Sequence, residues 1–184
     1  MIWGLSALSS LGFLTILGLS LIGPRLGLGS YWPPEETASW QHQSFRALFR
    51  VGVYPLVAAS AILGREIGFA LPFVGCGLLI LGFGCALLFT GKLGWKQAFG
   101  SAEGLVTTSV YAYSRNPVYV ATMFGMLGWA VLLPNAAIVL PLLLWAVLYI
   151  LAPFLEEPWL EARFGDEYLA YTAATPKPEF FHGL

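Results

Sequence analysis

The sequence predicts an all-α integral membrane protein with five transmembrane helices, including a C-terminal helical hairpin, and a cytoplasmic amphipathic C-terminal helix. Hydrophobic residues make up 58% of the 184 residues and charged residues only 10%, whereas soluble domains average about 25% charged residues. The apolar residues fall into five long runs, each suited to a bilayer core. With five spans, every Lys and Arg except Arg65 lies on one side of the membrane, which supports that span count.

Residues 1–90 are predicted to contain the three N-terminal spans, Ile2–Ile22, Phe45–Gly64 and Ile67–Thr90. Small residues allow transmembrane helices to approach closely, and the third span carries several glycines. They are Gly75, Gly77, Gly82 and Gly84. We therefore expect this span to pack tightly against a neighbouring helix.

The connection Pro24–Gln43 is polar and aromatic. Trp32 and Trp40 are interpreted as anchors at the membrane–water interface, where tryptophan is enriched. His42 has no Cys or His close to it in the sequence and is interpreted as a surface residue, so no metal site is predicted. Cys76 and Cys85 are interpreted as packing residues, since about 13 Å of helix separates them.

The rest of the single membrane domain is divided into a cytoplasmic loop at 91–116, a helical hairpin at 117–155 and a cytoplasmic tail at 156–184. Pro134-Asn135 breaks the hairpin into apolar segments that rise roughly 25 and 30 Å as helices, enough to cross a bilayer core. A short break favours antiparallel packing. The start of the first helix should therefore lie level with the end of the second.

This geometry brings Arg115 and Asn116 close to Glu156 and Glu157. A cation and a helix N-terminus favour anions, whereas the two carboxylates favour a cation, so together they suit a ligand that carries both charges. In one alternative, Asn116 merely caps the helix that begins at Pro117. In another, Arg115 and Glu156 form a salt bridge without a ligand.

The tail is predicted to form an amphipathic helix that begins at Pro158, a favourable first helical residue. Its apolar side recurs at helical spacing. The residues on that side are Leu160, Phe164, Tyr168 and Tyr171. The positive-inside rule places this tail and both ends of the hairpin in the cytoplasm and the N-terminus outside. The net charge of −1 provides no basic surface for nucleic acid.

Two motifs flank the hairpin. SRNPVY precedes it, and EEPWLEARFGDEYLAY follows it. This arrangement resembles the isoprenylcysteine carboxyl methyltransferase family, to which phospholipid N-methyltransferases are related, over about residues 89–178. The resemblance implies S-adenosylmethionine-dependent methyl transfer to a lipophilic acceptor, such as a prenylcysteine carboxylate, at the cytoplasmic face of the bilayer. It favours the inner membrane of a prokaryote.

The resemblance also implies roles for particular residues. Those expected to bind the cofactor are Leu105, Val106, Tyr113, Arg115, Asn116, Pro117, Tyr119 and Glu156. Tyr113 and Tyr119 would line its sulfonium or adenine. Glu157, in a supporting role, and Arg163, orienting an anionic substrate, are the candidate catalytic residues. Asn116 stands where eukaryotic members have His, so no histidine base is expected, and Ser109 stands where relatives often have Gly.

Two other functional classes compete with this one. Membrane sterol reductases share a related C-terminal hairpin and use NADPH, whose phosphates require clustered basic residues. The basic residues near the predicted pocket are scattered, and no glycine-rich phosphate loop is present. These basic residues are Lys92, Lys96, Arg115 and Arg163. A non-catalytic membrane subunit would instead bind no cofactor.

Overall fold

The computed structural model describes residues 1–34, 39–95, 97 and 104–175 of the chain. Regular structure in this part is entirely helical, with six α-helices and no strand, which confirms the all-α prediction. Two short 3₁₀ turns, Gly23–Leu26 and Ser109–Ala112, lie in the connections. The α-helices are α1 Ile2–Ile22, α2 Trp40–Ile67, α3 Pro72–Leu93, α4 Pro117–Leu132, α5 Ala136–Phe164 and α6 Asp166–Ala174.

Four of these helices, α1, α2, α3 and α5, are long and apolar enough to cross a membrane. Such helices belong to a multi-pass membrane protein. The remaining apolar helix, α4, has 16 residues and rises about 24 Å, somewhat less than a typical bilayer core. The fifth span therefore stays a prediction.

The boundary between α5 and α6 differs from the predicted one. The tail does not start a new helix at Pro158; α5 continues through Pro153 and Pro158, and a separate nine-residue helix starts at Asp166. A proline inside a helix removes one N–H hydrogen bond. Gly165 instead has a φ of +51°, which turns the backbone out of the helix. The predicted tail helix is therefore wrong as one continuous element.

Helix α2 also begins earlier than predicted, at Trp40. The Ser39 hydroxyl accepts a hydrogen bond from the His42 backbone N–H at 3.3 Å, a typical N-cap interaction. This extra turn carries the His42 side chain inside the protein, where it is only 6% exposed. The interpretation of His42 as a surface residue was therefore wrong.

Helices α3 and α4 pack along a seam of glycines. A Cβ atom added to Gly82 would collide with the backbone of Gly125, and one added to Gly75 would collide with Leu132. By contrast, a Cβ on Gly77 or Gly84 would meet nothing within 4 Å. The predicted close approach is thus confirmed at Gly75 and Gly82 and is wrong for Gly77 and Gly84.

An aromatic cluster joins α1, α2 and α5 at the centre of the bundle. Phe13 stacks on Trp145 with ring centroids 5.5 Å apart, and Phe49 meets the same indole edge-on at 5.4 Å. The Ser9 hydroxyl donates a hydrogen bond of 2.5 Å to the Gly52 carbonyl. Burial of such rings contributes much of a core's packing energy. The cluster therefore holds α1, α2 and α5 together.

Candidate active site

The two ends of the α4–α5 hairpin meet, as predicted. Arg115 Nη1 lies 3.2 Å from Glu157 Oε1, in an ion pair whose side chains are 16% and 25% exposed. On the neighbouring carboxylate, Glu156 Oε1 accepts a hydrogen bond from the Tyr119 hydroxyl. The predicted proximity is therefore confirmed, but the partner of Arg115 is Glu157 and not Glu156.

Local sequence explains how the hairpin closes. Helix α4 ends at Leu132, and the Asn135 side chain accepts a hydrogen bond from the Ala137 N–H at 3.0 Å, which caps α5. Pro134 has no N–H and cannot extend α4 with a further hydrogen bond. The chain therefore reverses direction within three residues, and the start of α4 lies at the same level as the end of α5.

Trp32 is a site residue that the sequence analysis missed. Its indole Nε1 donates a hydrogen bond of 2.8 Å to Glu156 Oε1, and its ring stacks on Phe45 with centroids 4.3 Å apart. Trp32 was interpreted as an interfacial anchor. The two hydrogen-bonded residues are 124 positions apart, so no local spacing signals this contact. Its consequence is that Glu156 is held by donors from two sides.

These residues line a cavity of about 420 Å³, which is within the range of small-molecule sites. Its floor is apolar and belongs to α1 and α3, including Ile16 and Ala86. Aromatic side chains form much of its wall. They include Trp32, Phe45, Phe49, Phe83, Tyr119, Trp145, Tyr149 and Trp159. The charged groups gather at the end formed by Arg115 and the two glutamates.

Asn116 lines this cavity and is only 8% exposed. It occupies the N-cap position of α4, but its side chain makes no capping hydrogen bond, so the capping interpretation is wrong. Among the residues described, neither Asn116 Nδ2 nor Arg115 Nε has a hydrogen-bond partner. A buried donor without a partner costs about 1–3 kcal/mol. These two donors therefore leave two hydrogen-bonding positions beside the cavity open to an acceptor.

Helix α6 covers the charged end of the cavity. The Tyr171 hydroxyl donates a buried hydrogen bond of 2.7 Å to the Tyr111 carbonyl, and Tyr168 contributes to the same wall. Burial raises the pKa of Tyr171 to about 12, so the phenol remains protonated and can donate. The tail is thus attached to the turn that precedes α4.

A family model described as phospholipid methyltransferase matches residues 71–167, which span α3, α4, α5 and the first residues of α6. The chain belongs to the phospholipid methyltransferase family. This confirms the suspected family and supports a membrane methyltransferase. No curated protein and no solved structure matches the chain significantly. Trp32, Tyr168 and Tyr171 lie outside the matched range, so the family match does not cover every wall of the cavity.

Most of the residues predicted for the methyltransferase site line this one cavity. They are Leu105, Val106, Arg115, Asn116, Pro117, Tyr119, Glu156 and Glu157. Their roles remain predictions, because proximity to a cavity does not identify what each side chain binds.

Tyr113 lies away from the cavity, so its predicted contact with a cofactor there needs correction. Its side chain is 82% exposed and borders a separate groove between α3 and α4. The cause is the turn before α4, where Ser109 adopts a φ of +61°, a conformation that favours glycine. This turn points Tyr111, which is 6% exposed, inward. Tyr113, two positions later, consequently points outward.

Arg163 is exposed and does not border the cavity. It lies seven residues beyond Glu156 on α5, which places it roughly 10 Å farther along the helix axis. Its predicted role in orienting a substrate is therefore not supported by a contact at the cavity and stays a prediction.

The charges that border the cavity are unequal in number. Within the described residues, the Asp, Glu, Lys and Arg side chains that border it are Arg115, Glu156 and Glu157. One cation therefore faces two carboxylates. The same part of the chain contains no group of three or more His, Cys, Asp or Glu side chains arranged to hold a metal ion.

Proposed function

We propose that the chain is an S-adenosylmethionine-dependent methyltransferase that acts at the cytoplasmic face of a membrane on a lipophilic acceptor. The observation that carries this proposal is the composition of the charged end of the cavity. Arg115 Nε and Asn116 Nδ2, which find no hydrogen-bond partner in the described part of the chain, line the same cavity as Glu156 and Glu157. A ligand that combines a carboxylate with positive charge complements this arrangement.

The donors suit the carboxylate of the cofactor. Arg115 is held by Glu157 at 3.2 Å but retains its Nε hydrogen for a further acceptor. Charge-assisted hydrogen bonds of this kind are stronger than neutral ones. The Asn116 amide provides a second, uncharged donor next to it. We infer that these two side chains together bind the cofactor carboxylate, with Glu157 as the positioning partner of Arg115.

The carboxylates and rings suit the cationic and flat parts of the same molecule. Glu156, held by Trp32 and Tyr119, offers its remaining oxygen to an ammonium group or a ribose hydroxyl. Aromatic faces attract a sulfonium and stack on adenine, and Tyr119 and Trp145 border the cavity. The cofactor carries one negative and two positive charges, which complement the two carboxylates and single cation of the wall.

When bound, the cofactor supplies a methyl group on a positively charged sulfur. Transfer to a carboxylate or thiolate neutralises both charges, and exclusion of water favours such a step. An amine acceptor must first lose a proton, and the positive charge then passes from sulfur to nitrogen. The aromatic walls and the α6 cover provide this exclusion. Asn116 does not titrate near neutral pH, so it binds and orients without acting as a base. The acceptor is a prenylcysteine-type carboxylate, a lipid amine, an isoprenoid acid or a thiol, among which the cavity does not discriminate.

A sterol-reductase-like function fits less well. NADPH carries several phosphate charges, and phosphates are usually bound by several Arg or Lys side chains. Among the residues described, Arg115 is the one Lys or Arg that borders the cavity, and it already pairs with Glu157. A non-catalytic subunit would have no need for two open hydrogen-bond donors beside paired carboxylates in a cavity.

Binding measurements on the purified protein test the proposal. S-Adenosylhomocysteine should raise the unfolding temperature and bind measurably by calorimetry, whereas NADPH should do neither. Arg115→Ala and Glu156→Gln should each weaken binding about tenfold or more, because each removes a charged partner from a desolvated site. The matched controls are Arg163→Ala and Glu161→Gln, which replace exposed residues of α5.

Three results would overturn the proposal. The first is a thermal shift with NADPH alone, which would favour the reductase. The second is unchanged S-adenosylhomocysteine affinity in both Arg115→Ala and Glu156→Gln, which would disprove the placement of the cofactor. Absence of binding to either compound would favour the non-catalytic subunit.

A further inference from the structure

Trp32 reaches the cavity from a part of the chain that the family match does not cover. The match begins at residue 71, and Trp32 lies between α1 and α2. Its indole ring stacks on Phe45, with ring centroids 4.3 Å apart, and Phe45 stacks in turn on Phe49 at 6.0 Å. The ring is therefore held by packing against α2, independently of its hydrogen bond to Glu156.

The backbone next to Trp32 is also held in place. Tyr31 is only 1% exposed, and its hydroxyl shares a hydrogen bond of 3.0 Å with the hydroxyl of Ser44 on α2. Gln41 Nε2 donates a hydrogen bond of 3.1 Å to the Leu28 carbonyl. A donor that is held before a ligand arrives loses little conformational freedom when the ligand binds. The Trp32 N–H is thus preorganised at the cavity.

The hydrogen bonds that hold Glu156 end on the same carboxylate oxygen. Trp32 Nε1 lies 2.8 Å from Oε1, and the Tyr119 hydroxyl donates to the same atom. Each oxygen of a carboxylate has about two acceptor positions, so these donors fill Oε1. In the described part of the chain, no other side chain donates to Glu156. Because Glu156 borders the cavity, Oε2 is the oxygen left for a ligand.

The donors of Trp32 and Tyr119 are neutral, which affects the kind of ligand that Glu156 can bind. They orient the carboxylate without cancelling its charge, while Arg115 pairs with Glu157 at 3.2 Å. A ribose diol donates two hydrogen bonds and suits both oxygens of a carboxylate, but here Oε1 is filled. An ammonium group needs one oxygen and adds an ion pair to the hydrogen bond. The geometry therefore favours the ammonium group.

We propose that Trp32 is a positioning residue that fills one oxygen of Glu156 and thereby makes the site select the ammonium group of the cofactor over its ribose hydroxyls. This inference rests on the proposed function and decides between the two contacts that it leaves open for Glu156. Without the indole N–H, Oε1 becomes available to hydroxyl groups and the carboxylate is held from one side only. The preference for the ammonium group should then fall.

Calorimetry with three compounds tests this role. They are S-adenosylhomocysteine, its analogue without the amino group and its analogue without the two ribose hydroxyls. Trp32→Phe removes the indole N–H and retains a ring that can stack on Phe45. Trp129→Phe is the matched control, because Trp129 Nε1 donates a comparable hydrogen bond of 2.9 Å to Ser60 and does not border the cavity.

In the unmodified protein, loss of the amino group should weaken binding about tenfold or more, because Glu156 loses its charged partner in a desolvated site. Trp32→Phe should reduce this discrimination to about threefold, whereas Trp129→Phe should preserve it. Glu156→Gln should abolish the discrimination, and adding Trp32→Phe to it should change nothing further, since residues that act through one group are not additive. Tyr119→Phe removes the other donor to Oε1 and should act like Trp32→Phe, so it serves as a second test should Trp32→Phe not fold.

Unchanged discrimination in the folded Trp32→Phe and Tyr119→Phe proteins would overturn the positioning role. Equal losses of discrimination in Trp32→Phe and Trp129→Phe would also overturn it, as would effects of Trp32→Phe and Glu156→Gln that simply add. If Glu156→Gln removes the cost of losing the hydroxyls and not that of losing the amino group, Glu156 binds the ribose and the proposed selectivity is wrong. Failure of the unmodified chain to bind S-adenosylhomocysteine would instead contradict the proposed function, so the two failures are distinguishable.

Discussion

Two asparagines occupy N-cap positions in the hairpin and behave differently. Asn135 caps α5 through its side chain, with 3.0 Å to the Ala137 N–H. Asn116 precedes α4 and makes no such bond, although it is buried. Its amide borders the cavity instead. The first asparagine therefore stabilises the fold, and the second is available for a ligand.

This contrast leads to a prediction for Asn116→Ala with Asn135→Ala as its matched control. Asn135→Ala should lower the free energy of unfolding by about 1 kcal/mol, the usual cost of a lost cap, and leave cofactor affinity unchanged. Asn116→Ala should cause no such loss of stability, because its side chain neither caps α4 nor forms a hydrogen bond with another described residue. It should weaken S-adenosylhomocysteine binding several-fold. Denaturant unfolding in detergent and calorimetry measure the two quantities.

The prediction would be contradicted if Asn116→Ala destabilised the protein as much as Asn135→Ala does and left the affinity for S-adenosylhomocysteine unchanged. Asn116 would then be a structural residue after all.

Adjacent carboxylates also differ in their surroundings. Glu157 pairs with Arg115, and Glu156 accepts hydrogen bonds from Trp32 and Tyr119. Successive residues of a helix point about 100° apart, so the side chains of Glu156 and Glu157 face different neighbours. Because Trp32 comes from the loop between α1 and α2, the N-terminal part of the chain determines the environment of a carboxylate in the family-matched part.

At the scale of helices, the seam between α3 and α4 separates the groove from the cavity. Gly82 meets the Gly125 backbone, and Gly128 meets the backbone of Leu79. Such contacts replace side-chain packing by direct backbone approach, which is common between membrane helices.

Gly82→Ala and Gly84→Ala form a matched pair that tests this seam. The methyl group added at Gly82 would overlap backbone atoms of Gly125, so the helices must separate, and we expect a loss of stability of about 1–3 kcal/mol. Gly84 faces open space, so alanine there should be neutral or slightly stabilising, because alanine favours helices over glycine. Thermal unfolding in detergent checks both. Equal effects of the two substitutions would show that α3 and α4 are not in close backbone contact at Gly82.

The junction of α5 and α6 shows how one residue redirects an element. Gly165, at a φ of +51°, ends α5 and lets α6 turn back so that Tyr171 reaches the Tyr111 carbonyl. A single straight helix through this position would carry Tyr168 and Tyr171 away from the cavity. The break is therefore required for the tail to cover the charged end.

At the scale of the whole molecule, orientation in the membrane remains a prediction from charge. Lys and Arg residues, apart from Arg65, are concentrated on the side of the hairpin ends. Retention of such residues in the cytoplasm sets topology, and a cofactor dissolved in the cytoplasm must reach the cavity from that side. The site and the C-terminus should thus be cytoplasmic and the N-terminus outside.

Protease protection of terminal epitope tags tests this orientation. In sealed inside-out vesicles the C-terminal tag should be cleaved and the N-terminal tag protected, and right-side-out vesicles should give the reverse. Tags that are cleaved together on one side would mean an even number of spans, so that α4 does not cross the bilayer. Cleavage with the opposite polarity would place the cavity outside.

By itself, the sequence determined the helical membrane class, the hairpin and the approach of Arg115 to the two glutamates. These follow from long apolar runs, a short Pro134-Asn135 break and the fixed rise of a helix, all of which are local properties. Only the tertiary structure decided that Trp32 joins Glu156, that the Asn116 amide borders the cavity instead of capping α4 and that Tyr113 faces a groove. Those contacts depend on which helix faces pack together and on the backbone at Ser109 and Gly165, and no spacing along the chain encodes them.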